Sequence, residues 1–174
     1  MQDHLTDAQE MWLDIITSVV QHPRFDVKIG DMSYVLGNMI AKCVSSAQHY
    51  RITELALTHV TALGIDITKP IHIKKHIYGR DKPTLLEHMI PTSIIKVAIL
   101  TCGKEKASIS HILRNSGQVV VMLRREDDQL IAAGLRSKMP AEWKGFGEDP
   151  LIRYKKAGIA LSETLILPAG PICR

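Results

Sequence analysis

Five consecutive apolar residues, Val119-Val120-Val121-Met122-Leu123, constrain this chain more than any other feature. Three of them are β-branched, which predicts a strand. Gly117 stands before the run, and Arg124-Arg125-Glu126-Asp127-Asp128 follows it without a break. The charged run opens a helical pattern that continues to Leu135, with Gly134 near its end. The chain must therefore pass directly from an apolar strand into a helix whose first turn is acidic.

A second strand is predicted upstream, from Thr84 to Ile90, ended by Pro91. Within it Glu87 and His88 stand side by side. A carboxylate suits a hard cation and an imidazole suits a proton, so this pair is the first candidate for chemistry. The competing reading is a surface or satisfied pair with no function. Between the two strands, Thr92-Ser93 caps a predicted helix through Leu100, and another helix runs from about Ala107 to Asn115.

The N-terminal part reads as helices alone. Thr6 and Gln9 fit a capping box, followed by Met11, Trp12, Ile15, Ile16 and Val19 at helical spacing. Met32, Val35, Leu36, Met39, Ile40 and Cys43 form a second stripe. Ile52 to Leu63 predicts a third helix, closed by Gly64. Helices joined by short loops pack on one another, so 1–66 is expected to be a helical lobe. Residues 65–77 are expected to be extended or partly helical, Tyr78 to Pro83 a turn, and Pro150 to Ala157 a last helix. Leu165 to Pro168 is expected to be a short strand or a partner-binding tail.

Composition narrows the function classes. Hydrophobic residues make up 45% of the chain, which excludes disorder by composition. With two Phe, two Trp and four Tyr, the core must be aliphatic. So few aromatics argue against a sheet that stacks bases on aromatic platforms. Cys43, Cys102 and Cys173 are far apart and form no CxxC pair. A zinc knuckle and a disulfide scaffold are both disfavoured, and a reducing compartment fits. The N-terminus lacks a basic region with an apolar run behind it, and no stretch approaches a membrane span in length. A soluble, cytoplasmic protein with no membrane partner is expected. A toxin delivered by another machine would share this composition.

Charge is unevenly spread. Residues 1–66 carry 4 Lys/Arg against 8 Asp/Glu, and residues 67–174 carry 18 against 10. A basic half points to a polyanion, nucleic acid first, while the acidic half would suit a protein partner. Arg125, Arg136, Lys138, Lys144, Arg153, Lys155 and Lys156 are expected to contact phosphates without reading sequence. Ordinary solubility charge is the alternative.

The order strand, Glu87-His88, long connection, strand, acidic helix resembles the His-Me finger, or ββα-metal, nucleases, which include the HNH endonucleases. The resemblance covers residues 83–135. It implies His88 as general base, Asn115 as the polar prop and Asp127 as the helix ligand of one divalent cation. Glu87 would be a second ligand, Asp128 or Glu126 would stand in for Asp127, and Arg124 and Arg125 would steady the transition state. Mg²⁺ or Mn²⁺ is implied by carboxylate ligands. Two departures stand out: the helix ligand is usually His or Asn, and the connection holds two helices. Asn115 also reads as a helix C-terminal residue before Gly117, and the 126–128 acids as a first turn favoured by the helix dipole.

His72 and His76 are spaced to share a helix face, but no third ligand is evident and Lys74 and Lys75 lie between them. The fold expected is α+β and mostly helical: a helical lobe over 1–66, then a basic ββα-metal-like region over 67–174 with helical insertions. The function expected is hydrolysis of phosphodiester bonds by a cation-dependent endonuclease, on DNA before RNA. The alternative is a non-catalytic nucleic-acid-binding module or a protein-interaction module.

Overall fold

The structure, a computed structural model, describes residues 4–77, 79 and 81–169. Cys173, and Tyr78 and Arg80 of the expected turn, lie outside the described residues.

Helix α1 (Asp7–Gln21) begins as its sequence dictates, with Thr6 Oγ1 accepting from the Gln9 backbone and Gln9 returning the bond to Thr6. Helix α2 (Gly30–Ser45) follows and buries Leu36, Ile40, Cys43 and Val44. Strand β1 (Tyr50–Thr53) then runs directly into α3 (Glu54–Ala62). This corrects the expectation of one helix from Ile52. Tyr50 and Ile52 alternate with Arg51 as strand residues do, and the helix starts only where Thr53 Oγ1 caps the Ala56 amide. The short helix α4 (Ile73–His76) precedes β2 (Thr84–His88), α5 (Thr92–Thr101), α6 (Lys106–Arg114) and β3 (Val119–Leu123). After β3 come α7 (Arg124–Ala132), α8 (Ile152–Lys156) and β4 (Leu161–Ile166). The architecture is α+β and mostly helical. No helix among the described residues is long and apolar enough to cross a membrane.

The four strands form one sheet in the order β2-β3-β1-β4. β1 and β3 are parallel, while β2 pairs antiparallel with β3 and β4 antiparallel with β1. β3, predicted from its apolar run, is buried at all five positions because it is an inner strand covered on both faces.

Strand alternation sorts the layers. Val119, Val121, Leu123, Tyr50, Ile52 and Ile166 face a layer built from α1, α2, α5 and α6, with Ile16, Ile40, Ile95 and Ile109 at its centre. Val120, Met122 and Met89 face the other way, against Leu130 of α7, Leu135, Tyr154 of α8 and Ile159. At about 25 cal/mol per Å² of apolar surface, these aliphatic layers are the main stabilising term. Residues 1–66 therefore do not pack as a lobe of helices alone. They contribute an inner strand, and their helices share a core with β3 and β4.

One glycine is required by space. Gly117, in the turn between α6 and β3, has φ +76°, and a Cβ there would lie 2.9 Å from the Met89 side chain. This close approach seats β3 beside the end of β2.

Candidate functional site

Both β1 and β3 end by turning straight into a helix, and Glu126 joins the two ends. Its Oε2 accepts from the Leu123 amide at 2.8 Å and from Thr53 Oγ1 at 2.7 Å. Glu126 is buried, so it serves as the cap of α7 and the brace to β1. It does not point to Glu87. Asp128 is exposed on the helix surface. Of the three acids, Asp127 is the one directed at β2, as a helix with 3.6 residues per turn requires of only one face.

Glu87 and Asp127 line one cavity of about 370 Å³, together with Arg124, Arg136, Leu85 and Gly79. Asp127 is 7% exposed. Its Oδ2 pairs with Arg136 Nη2 at 3.1 Å, and its Oδ1 is buried with no hydrogen-bond partner among the described residues. Glu87 pairs with Arg153. Burial pushes the Glu87 carboxyl above its ordinary range, and the nearby Asp127 charge adds to this against the opposing pull of Arg153. Arg124 is held at the rim by the carbonyls of Lys82 and Gly79, each at 2.8 Å.

His88 is not brought to this cavity. Adjacent strand residues face opposite sides, and His88 Nε2 lies 3.5 Å from Ser45 Oγ and from the Ala41 carbonyl on α2. Asn115 is also elsewhere. It is the C-cap of α6, its Nδ2 donates to the His111 carbonyl at 2.8 Å, and it lines a separate cavity with Arg51 and Gln118. The implied set of His88, Asn115, Glu87, Asp127 and Arg124 is thus split: Glu87, Asp127 and Arg124 converge, and the other two do not.

The expected phosphate contacts also divide. Arg125, Lys138 and Lys144 are exposed. Arg136 is exposed along most of its length while its tip holds Asp127. Lys155 pairs with Asp149 at 2.6 Å and Lys156 with Glu142, all at the surface. Arg153 is a correction: it is fully buried and cannot reach a phosphate. Its guanidinium donates to Glu87 and to the carbonyls of Leu135 and Arg136 at 3.0 Å and His88 at 2.7 Å. Its ring neighbour Tyr154 is buried beside it. Sequence reasoning missed this role because Arg153 stands between Ile152 and Tyr154 in a run otherwise basic. The apolar neighbours were the available signal.

No group of three or more His, Cys, Asp or Glu side chains placed to hold a metal occurs among the described residues. The donor set present, two carboxylates with one buried oxygen unpartnered, fits a cation that takes only one or two protein carboxylates. No family model, no curated protein and no solved structure matches the chain.

Proposed function

We propose that the chain is a divalent-cation-dependent nuclease, with Glu87 and Asp127 as the ligands of Mg²⁺ or Mn²⁺ and DNA as the first substrate to test. One observation carries the reading: the buried Asp127 Oδ1 has no partner among the described residues, and it shares a cavity with Glu87. A buried carboxylate oxygen without a donor is costly unless a cation meets it. A divalent cation there supplies charge for phosphate oxygens and lowers the pKa of an attacking water. Arg124 and Arg136 at the cavity wall would hold the phosphate and steady the charge that builds in the transition state. Exposed Arg125, Lys138 and Lys144 extend the cationic surface to neighbouring phosphates. In this arrangement His88 takes no proton from the attacking water, because it faces α2.

A second reading is a nucleic-acid-binding module without catalysis. It is favoured by the pairing of both carboxylates with arginines, Glu87 with Arg153 and Asp127 with Arg136. Titration calorimetry with Mn²⁺ and a plasmid-cleavage assay with and without EDTA separate the two. The nuclease reading expects Mn²⁺ binding and cleavage, both lost in Asp127→Asn. Mn²⁺ binding unchanged in that variant, or a metal-independent gel shift with no cleavage under any condition, supports the second reading instead.

A further inference from the structure

We propose that the second cavity on the same side of the sheet binds a nucleotide: a phosphate at Arg51 and Arg114, and a base against the apolar wall beyond them. The cavity measures about 320 Å³, at the small end of the range of small-ligand pockets.

Arg51 is the key observation. It sits on β1, an inner strand, with Val120 on one side and Leu165 on the other. Tyr50 and Ile52 face the helical layer, so Arg51 faces the cavity. No ion pair or side-chain hydrogen bond of Arg51 occurs among the described residues. Arg51 is half-buried there, so its guanidinium reaches the cavity without an acid of its own to pair with among the described residues, and an anion in the cavity would meet it. Arg114 comes to the same cavity from α6, its Nε held by Ser110 Oγ at 3.2 Å and its Nη2 3.5 Å from Glu10 Oε1, a long contact with which a phosphate would compete. Two guanidiniums at one cavity are the donor set that recognises phosphate.

The rest of the lining suits a base. Met89, Leu151 and Leu165 provide apolar surface, and Leu165 is 39% exposed at the mouth. Asn115 and Gln118 bring amides, which both donate and accept and so match the edge of a base. The acids at the rim fit too. Asp149 is engaged by Lys155, and Glu148, an exposed residue of the lining, would accept from an exocyclic amino group. A bare anion would need no amides and no apolar wall.

Met89 follows Glu87 by two residues on the same face, a rise of about 7 Å along an extended chain. The pocket therefore lies beside the Glu87–Asp127 cavity. The proposal goes beyond the nuclease reading, because nucleotide binding here requires neither a cation nor hydrolysis.

Calorimetry in EDTA with the four 5′-ribonucleoside monophosphates, and with inorganic phosphate as the anion control, tests it. At least one nucleotide is expected to bind about tenfold or more tighter than phosphate. Arg51→Met is expected to weaken that binding about tenfold or more, with melting temperature as the check on folding. Leu165→Glu, at an exposed mouth position, leaves the inner strand intact and should cause a similar loss. Asp127→Asn should leave nucleotide binding unchanged, so failure of the nuclease reading does not mimic failure here. No nucleotide binding by the wild type, phosphate binding as tightly as every nucleotide, or full affinity in both variants would each overturn the proposal.

Discussion

A single nitrogen of Arg153 holds the Glu87 side chain and the next residue's main chain together: Nη2 donates to the Glu87 carboxylate and, at 2.7 Å, to the His88 carbonyl. The end of β2 is thereby fixed from the side opposite α2. The same guanidinium reaches back through Nη1 to Leu135 and Arg136 at 3.0 Å, so the loop after α7 is tied to the same point. One buried side chain therefore positions Glu87 and also the backbone of Arg136, the partner of Asp127.

Arg153→Leu should destabilise the fold by about 3–5 kcal/mol, because it leaves the half-buried Glu87 carboxylate without its cation and the carbonyls of His88, Leu135 and Arg136 without their donor. Urea denaturation measures this. The double variant with Glu87→Gln should lose less than the sum of the two single changes, since the uncompensated charge is gone. A single variant within about 1 kcal/mol of wild type would show that the pair is dispensable.

His88→Ala should leave Mn²⁺ affinity within about twofold of wild type, because a twofold change is well under the roughly 1.4 kcal/mol of a tenfold effect. The ring faces α2, away from Glu87. Cleavage lost with Mn²⁺ binding intact would return a proton-transfer role to His88.

Glu126→Ala should cost about 1–2 kcal/mol through loss of the α7 cap. Thr53→Val should show coupling with it of about 0.5–3 kcal/mol in a double-mutant cycle, as for residues that share one buried bond. Additive losses would show that the Thr53 hydroxyl does not depend on Glu126.

Alkaline pH should unfold the protein partly through Cys43. Burial, with the Glu10 charge, pushes its thiol up to about 12 from an ordinary value of 9.0. The neutral thiol is thus favoured in the folded state, and the unfolded chain ionises first. The contribution is complete below the ordinary thiol value and declines as pH rises toward the folded one, by about 1.4 kcal/mol at one unit above the ordinary value. Cys43→Ala should flatten this limb of a stability-against-pH curve. Tyr50, also raised by burial, adds its own loss at still higher pH. An identical alkaline limb in the variant would exclude Cys43 as its source.

Features with a strong local signal are legible in the sequence. The Thr6–Gln9 box, the apolar run of β3 and the start of β2 at Thr84 all occur where local chemistry places them, although β2 ends at His88 rather than at Ile90. β1 is not legible in this way, because four residues leading directly into a helix look like the helix's own first turn. Asp127 is distinguishable from its neighbours only as one choice of helix face. The burial of Glu126 depends on Thr53, far away in sequence. The separation of His88 from Glu87 follows from strand alternation, a rule that applies to any strand. Only the packing of α2 shows that the far side of β2 is closed.

The placement of β1 between β3 and β4 bears on how the chain reaches this state. Of the four strands it is made first, yet its parallel neighbour is residues 119–123 and its antiparallel neighbour 161–166. Contacts so remote in sequence form slowly, because loop closure must precede any gain. A nascent chain carries one hydrogen-bonding edge of Tyr50–Thr53 open until β3 has emerged and the other until β4 has. Loss of β4 would leave that edge exposed for good, a template for pairing with another copy and for aggregation.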